Sequence, residues 1–144
     1  MSWASDSDVT DFKDPHWYGG ASKWLKVAPF GLRKAVNWMY QNYGKPIYVT
    51  ENGFSDFIGN IDDMQRVYYY KHYINQLLKA VKIDGVDVRG YYAWSLMDNF
   101  EWARGYTERF GLHYVDYDDP ERPRTPKESS KFLKKLSMNN GFTE

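Results

Sequence analysis

The hydrophobic pattern in the first half of the chain predicts a helix that is followed at once by a short strand. The helix carries one apolar face with helical spacing, formed by Leu32, Ala35, Val36, Met39, Tyr40 and Tyr43. Gly44 and Pro46 follow in the order that is typical of a helix end. Residues 47–50 are rich in β-branched and aromatic side chains and predict a strand, which Asn52 and Gly53 are expected to end.

The same order recurs with a longer helix and a longer strand. Asp62 and Gln65 have the spacing of a capping box. An apolar stripe follows, formed by Val67, Tyr70, Ile74, Leu77, Leu78 and Val81. Gly85 is expected to close this helix. Residues 88–96 are nearly all apolar or aromatic after Arg89, which is typical of a parallel strand that is covered on both faces.

A shorter strand and a third helix are predicted further along the sequence. Residues 110–117 alternate partly between apolar and polar side chains, as a strand does. In the last helix, Thr125 is expected as N-cap, Pro126 as the first helical residue and Glu128 at the third position. Its buried side is predicted to consist of Phe132, Leu133 and Leu136.

The order of these elements is typical of an α/β protein with a parallel sheet. However, two parallel strands are too few for an independent sheet, and they would leave backbone edges and apolar faces uncovered. Residues 1 to about 24 show no sustained period and read as an irregular connection. The pattern therefore predicts a part of a larger α/β domain.

The composition argues against several kinds of binding partner and favours one. The 144 residues include 19 Lys and Arg, 19 Asp and Glu, and no Cys. The balanced charge argues against nucleic acid as a partner, and no apolar run is long enough for a membrane helix. The three histidines lack the spacing of metal ligands, so we expect no metal, and no cofactor motif is present. Aromatic side chains make up 19% of the chain, and their faces can stack on sugars.

Two acidic features are the candidate chemistry. Glu51 lies at the end of the first predicted strand, where parallel α/β barrels carry catalytic groups. Glu101 lies between Trp94 and Trp102, beyond the end of the second strand and therefore at the same edge of the sheet. Indole faces combined with carboxylates suit a sugar ring and its hydroxyls. The alternative interpretation is that Glu51 is an ordinary turn acid, Trp94 is core and the other acids are solvated.

Five short stretches of the sequence carry recognisable motifs. Residues 48–53 read YVTENG and residues 94–102 read WSLMDNFEW. Further motifs lie at residues 24–33, 109–116 and 124–129. In this order and spacing they resemble the nucleophile motif, the sugar-binding signature and accompanying motifs of family 1 glycoside hydrolases. The β-glucosidases form this family, and the animal branch with lactase-type domains and aphid myrosinase is the most similar.

The resemblance implies a fold, which is the C-terminal quarter of a (β/α)₈ TIM barrel, from strand 7 to helix 8. A whole barrel takes about 250 residues, so residues 1–144 are expected to be a partial catalytic domain. The resemblance also implies a missing N-terminal barrel portion as its partner. The Asn-Glu-Pro motif that carries the family's acid/base does not occur in the sequence. Activity of the 144 residues alone is therefore not expected.

The resemblance also implies site residues. Glu51 matches the nucleophile of a retaining enzyme, which uses two carboxyl groups about 5–5.5 Å apart. Trp94 matches the platform beneath the sugar, and Glu101 the acceptor of two hydroxyls. Trp102 matches an indole donor to another hydroxyl, and Phe110 a ring that lines the pocket near the hydroxymethyl group.

Asp98 and Asn99 belong to the same signature, and we interpret them as residues that shape the loop. Glu101 also predicts the substrate class, since its carboxylate would repel a phosphate group in a partly desolvated pocket. We therefore expect neutral, non-phosphorylated β-glycosides such as β-glucosides or β-galactosides.

Three alternatives remain open on the sequence. The chain is also compatible with a klotho-like binding protein that kept the fold and lost catalysis, or with a myrosinase-like thioglucosidase. A short structural isoform would need a partner that covers its strand edges. Animal relatives are often secreted, which favours an extracellular location.

Overall fold

The computed structural model describes residues 12–57 and 59–142, so most of the predicted opening segment lies outside the described residues. Within them, three helices, a 3₁₀ turn and two pairs of strands follow one another along the chain. The elements are α1 (Pro29–Tyr43), β1 (Ile47–Gly53), α2 (Met64–Lys82), β2 (Val88–Trp94), the 3₁₀ turn Trp102–Arg104, β3 (His113–Val115), β4 (Arg124–Pro126) and α3 (Glu128–Met138). Strands β1 and β2 pair in parallel, whereas β3 and β4 form an antiparallel pair.

Helix α1 and its end are confirmed as predicted. Pro29 stands in its first turn, where the missing N–H has no helical partner to lose. Gly44 adopts the left-handed conformation, with φ of 59°, and its N–H donates to the Tyr40 carbonyl at 2.8 Å. This αL cap lets the chain turn directly into β1.

Strand β1 is longer than predicted, and it contains a bulge. It continues through Asn52 to Gly53, which pairs with Trp94 of β2. Two residues of β1 lie between Val49 and Asn52, whereas one residue of β2 lies between their partners Tyr91 and Ala93. A side chain at Gly53 would meet the Trp94 carbonyl oxygen at 1.9 Å, so only glycine allows this close pairing.

The helices cover one face of the β1–β2 sheet. One cluster of buried side chains joins α1, α2, β1 and the segment just before β2, and consists of Val36, Ile47, Leu77, Ala80 and Val86. A second, richer in aromatics, lies nearer the carboxyl ends of the strands, and consists of Leu25, Val27, Phe54, Tyr69, Tyr70, Tyr73, Phe110 and Leu112. The predicted apolar stripes are therefore confirmed only in part, because Val36, Tyr70 and Leu77 are buried whereas Met39, Tyr43 and Leu78 are exposed.

The other face of the sheet is open in the part of the chain that the structure describes. Tyr48, Tyr92 and Trp94 are all exposed there. The expectation that β2 is covered on both faces is therefore not met by the described residues. We call this surface, defined by Tyr48, Glu51, Tyr92 and Trp94, the open face.

Both predicted helix caps are wrong, because tertiary contacts outweigh the local signals. Helix α2 begins at Met64 with Asp63 as N-cap, and no side chain caps it. The Asp63 carboxylate instead pairs with Arg66 and accepts a hydrogen bond of 2.8 Å from the Ser129 N–H. Asp62 and Gln65 thus form no capping box.

Thr125 does not cap the last helix. It pairs with Tyr114 in the β3–β4 ladder, and α3 begins at Glu128. Lys127 occupies the N-cap position because its buried ammonium lies 3.1 Å from an Asp98 carboxylate oxygen. Phe132 and Leu133 pack against the aromatic cluster as predicted.

Candidate active site

Glu51 lies in the bulge of β1, near the carboxyl end of the sheet. Its neighbour Asn52 is tied to the helical side, since its amide donates to the Tyr69 hydroxyl at 2.9 Å and accepts from the Tyr91 hydroxyl at 2.8 Å. Because successive strand side chains point to opposite faces, Glu51 belongs to the open face, and it is exposed. Bulges next to active sites commonly re-aim a side chain in this way.

Trp94 and Glu101 contact each other. The Trp94 indole Nε1–H donates to a Glu101 carboxylate oxygen at 3.3 Å. Partial burial raises the pKa of Glu101; the Trp94 hydrogen bond opposes this, while the negative charges of Glu108 and Glu51 add to it. The structure thus brings Trp94, Glu101 and Glu51 to one place, at the carboxyl ends of two adjacent parallel strands.

Trp102 follows Glu101 at the start of the 3₁₀ turn. The residue is 86% exposed, and its backbone has a φ of 46°, which is unusual for a bulky residue. The turn is closed by hydrogen bonds between the Glu101 N–H and the Gly105 carbonyl (2.7 Å) and between the Arg104 N–H and the Glu101 carbonyl (2.8 Å). Trp102 is therefore presented to solvent beside Glu101.

Phe110 is placed differently from the other predicted site residues. It is 5% exposed and packs in the aromatic cluster beneath the sheet. Its carbonyl accepts a hydrogen bond from the Ser95 N–H at 3.1 Å, which fixes the chain just after Trp94. The structure therefore brings the backbone of Phe110 to the site loop but keeps its ring in the core.

The prediction that Asp98 and Asn99 shape the loop is confirmed. The buried Asp98 carboxylate accepts hydrogen bonds from the Gly111 N–H at 2.9 Å and from the Lys127 ammonium at 3.1 Å. The Asn99 amide donates to the Ser95 hydroxyl at 2.9 Å. These contacts tie the loop after β2 to the β3 region and to the start of α3.

Sequence reasoning missed Glu108 and Ser22. The Ser22 hydroxyl donates to a Glu108 carboxylate oxygen at 2.5 Å, although the two residues are far apart in the chain. Neither has a sequence pattern that marks it as important. Glu108 stands immediately before the motif that begins at Arg109, and this position is the only signal that could have drawn attention to it.

Residues 12–57 and 59–142 contain neither a cluster of metal ligands nor a helix that could cross a membrane. In that part of the chain, no three His, Asp or Glu side chains are grouped so that they could hold a metal ion. None of the helices described there has the length and apolar character needed to cross a membrane.

Comparisons with known proteins agree with the geometry. The family described as Glycosyl hydrolase family 1 matches residues 1–142. Human lactase/phlorizin hydrolase is 50% identical over 145 residues, which cover 99% of this chain and 8% of that protein. Human cytosolic beta-glucosidase is 43% identical over 139 residues, which cover 95% of this chain and 29% of that protein.

A solved structure agrees as well. A mutant of a rice beta-glucosidase in a covalent complex with Glc is 42% identical and superposes with a TM-score of 0.81. The superposition covers 85% of this chain and 27% of the rice chain. The chain therefore spans less than a third of the length of each of these proteins.

Proposed function

The chain belongs to glycosyl hydrolase family 1, and we propose that it supplies the nucleophile-bearing part of a retaining β-glycosidase. Its fold is a part of a (β/α)₈ barrel, as predicted. In the proposal, residues 1–144 form one section of a single catalytic domain. The observation that carries it is the grouping of Glu51, Trp94 and Glu101 at the carboxyl ends of two adjacent parallel strands.

In the proposed reaction, the Glu51 carboxylate attacks the anomeric carbon as the bond to the leaving oxygen breaks. The leaving oxygen takes a proton from a second carboxylic acid, which in this proposal lies in the rest of the domain. Water then attacks the glycosyl–Glu51 ester, and the second carboxylate accepts the water proton. The sugar leaves with retained configuration, and the Glu51 carboxylate is regenerated. The covalent Glc complex of the rice relative supports an intermediate of this kind.

The sugar is proposed to lie on Trp94, with two of its hydroxyls bound by Glu101. The Trp94–Glu101 hydrogen bond supports this role because it orients a carboxylate oxygen at the edge of the indole. Trp102 adds an exposed indole N–H that is available to a further hydroxyl. The pKa of Glu101 is raised. As the solution is acidified, Glu101 is therefore expected to become protonated, and to accept hydrogen bonds less well, at a higher pH than an ordinary glutamate.

A hybrid barrel provides the test. In this hybrid, the chain replaces the matching 29% of human cytosolic beta-glucosidase. We expect the folded hybrid to hydrolyse aryl β-glucosides and the isolated chain to show no turnover. A hybrid that is folded by circular dichroism but inactive would contradict the enzymatic proposal and favour a non-catalytic binding protein.

Glu101 is expected to set the preference for neutral sugars. Glu101→Gln in the hybrid barrel is predicted to lower kcat/KM for a β-glucoside by roughly 10- to 100-fold, since a hydrogen bond to a charged group contributes about 1.5–3 kcal/mol. The same change removes the repulsion of a phosphate group. We therefore expect the ratio of kcat/KM between a β-glucoside and its 6-phosphate to fall.

Glu121→Gln is the matched control for this prediction, since Glu121 is exposed in the turn before β4. It should leave both kcat/KM values unchanged. If Glu101→Gln also leaves the ratio between the two substrates unchanged, Glu101 does not determine this preference.

The open face leads to a prediction for the chain by itself. In the proposal, the missing N-terminal barrel portion covers this face and its strand edges. We expect the isolated chain to bind a hydrophobic dye such as ANS, because exposed apolar patches attract such dyes. The dye fluorescence should be lower, per mole of chain, in the hybrid barrel.

Two tyrosines give a matched comparison. Tyr92→Ser removes an aromatic side chain from the open face, whereas Tyr43→Ser removes an equally exposed one (58% and 62%) from the end of α1. Only Tyr92→Ser should reduce the dye signal of the isolated chain. Equal effects of the two changes would mean that the dye does not report the open face.

A further inference from the structure

We propose that Glu108 is a positioning residue that holds the turn bearing Glu101 and Trp102 in its binding conformation. It does so by clamping that turn between Arg104 and Ser22. This inference rests on the sugar-binding roles proposed for Glu101 and Trp102.

The Glu108 carboxylate is buried, with 4% of its side chain exposed, and both of its oxygens are used. One accepts from the Ser22 hydroxyl at 2.5 Å, and the other from the Arg104 Nε–H at 2.6 Å. The Ser22 hydroxyl also lies 2.9 Å from that of Ser55, just beyond β1. A single carboxylate thus links the 3₁₀ turn, the segment before α1 and the end of β1.

Arg104 transmits this hold to the site. Its backbone N–H donates to the Glu101 carbonyl at 2.8 Å, while the Gly105 carbonyl accepts from the Glu101 N–H at 2.7 Å. The side chain that Glu108 grips therefore belongs to the residue that closes the turn on Glu101. If the position of Arg104 becomes less fixed, we expect the backbone of Glu101 to become more mobile as well.

The backbone conformation of Trp102 requires stabilising contacts. Its left-handed backbone conformation is unfavourable for a bulky residue, and such conformations persist only where the surroundings impose them. Since the residue is 86% exposed, Trp102 is not fixed by burial of its own indole. The hydrogen bonds of the turn and the ion pair of Glu108 with Arg104 are the contacts that impose it.

The charge of Glu108 also affects the site electrostatically. Burial disfavours a carboxylate, yet the hydrogen bonds from Ser22 and Arg104 hold the pKa of Glu108 below its usual value. Glu108 therefore stays charged, and this charge acts on Glu101 together with that of Glu51 and the Trp94 hydrogen bond. Removing the charge should make Glu101 easier to deprotonate, whereas a merely structural change would not.

The test is an NMR measurement of Glu108→Gln in the 144-residue chain, or in the hybrid barrel if the parent chain alone is unfolded. This change keeps the shape of the side chain and removes its charge. We expect amide hydrogen exchange at Glu101 and Gly105 to accelerate by at least about tenfold, because the Glu101 N–H donates to the Gly105 carbonyl and the Gly105 N–H donates to the Trp102 carbonyl at 3.0 Å. Exchange at Ile47, whose N–H donates to Asp87 at 2.8 Å, should be unchanged. The pH midpoint seen at the Trp94 indole N–H, which reports on Glu101, should move down.

Glu121→Gln is the control with the same chemical change on an exposed turn, and it should alter none of these signals. A folded Glu108→Gln chain with normal exchange at Gly105 and an unmoved Trp94 midpoint would overturn the proposal. If Glu108→Gln unfolds the chain, Arg104→Gln is the variant that tests the proposal. The Arg104 side chain is half exposed, so its replacement should not disturb the core. Normal exchange at Glu101 and Gly105 in that variant would also overturn it.

The hybrid barrel separates this inference from the proposed function. There Glu108→Gln should raise KM by more than it lowers kcat, since it misplaces groups that bind the sugar. An inactive hybrid would contradict the enzymatic proposal, while the exchange and titration results on the chain would still decide whether Glu108 positions the turn.

Discussion

Replacing Glu51 with glutamine in the hybrid barrel is expected to lower kcat for an aryl β-glucoside by at least about 10⁴-fold, a loss of the size seen when a catalytic nucleophile is removed. The amide has the shape of the carboxylate but cannot form the glycosyl ester. Binding should change far less, because Trp94, Glu101 and Trp102 are left in place. The measurement is kcat and KM from initial rates, with the fold of the variant checked by circular dichroism.

A second variant distinguishes a nucleophile from a residue that only supports the site. Glu51→Ala leaves space on the open face that a small anion can enter. Azide should then restore turnover of an activated aryl glucoside, and the product should be the glycosyl azide of inverted configuration. Glu121→Gln should retain full activity. Appreciable activity of Glu51→Gln, or no rescue of Glu51→Ala by azide, would exclude Glu51 as the nucleophile.

The sequence predicted the parts of the fold that depend on local periodicity. Helix α1 with its Gly44 cap, and the buried positions Val36 and Leu77 on α1 and α2, follow from the spacing of side chains along the chain. The start of α3 could not be predicted in this way, because Thr125 joins the β3–β4 ladder and Lys127 is held by Asp98. Both partners are distant in sequence, so the local capping signal had no information about them.

The candidate site shows the same division. That Glu51 and Glu101 share one edge follows from parallel pairing, and the contribution of the Glu51 charge to the raised pKa of Glu101 agrees with it. The bulge that aims Glu51 arises from the register between two strands, which a single strand sequence does not specify. The core position of Phe110 depends on packing under β2, and the role of Glu108 depends on Ser22.

A buried ionic cluster connects the two strand ends beneath the site. Arg66 on α2 lies at its centre, pairing with Asp56 and Asp63. Its Nε–H donates to the Phe54 carbonyl at 2.9 Å, and its Nη2 donates to the Arg109 carbonyl at 2.8 Å. One guanidinium thus fastens the segment after β1 to the segment that follows the 3₁₀ turn, so we expect the site loops to depend on it.

Arg66→Met is therefore expected to destabilise the chain by about 3–5 kcal/mol, the usual cost of removing one partner from a buried ion pair. Methionine fills much of the space, but it leaves the Asp63 carboxylate without its counter-charge and the Phe54 carbonyl without its donor. Asp56 keeps the Lys127 ammonium 3.8 Å away, and the Arg109 carbonyl keeps the Asp56 N–H at 2.9 Å. The free energy of unfolding can be measured by urea denaturation, provided that fluorescence and circular dichroism give coincident transitions. A loss of this size is a large part of the 5–15 kcal/mol that is typical of native proteins, so the midpoint should fall steeply.

Arg89→Met is the matched control. Arg89 also pairs with an aspartate, Asp87 at 2.9 Å, but this pair is exposed at the start of β2 and water screens its charges. We expect only a small change in the urea midpoint of this variant. If Arg66→Met and Arg89→Met shift the midpoint equally, then burial does not make the Arg66 pairs stronger. If the midpoint instead rises for Arg66→Met, desolvation of the cluster outweighs its Coulombic attraction, and the cluster fixes the loops at a cost in stability.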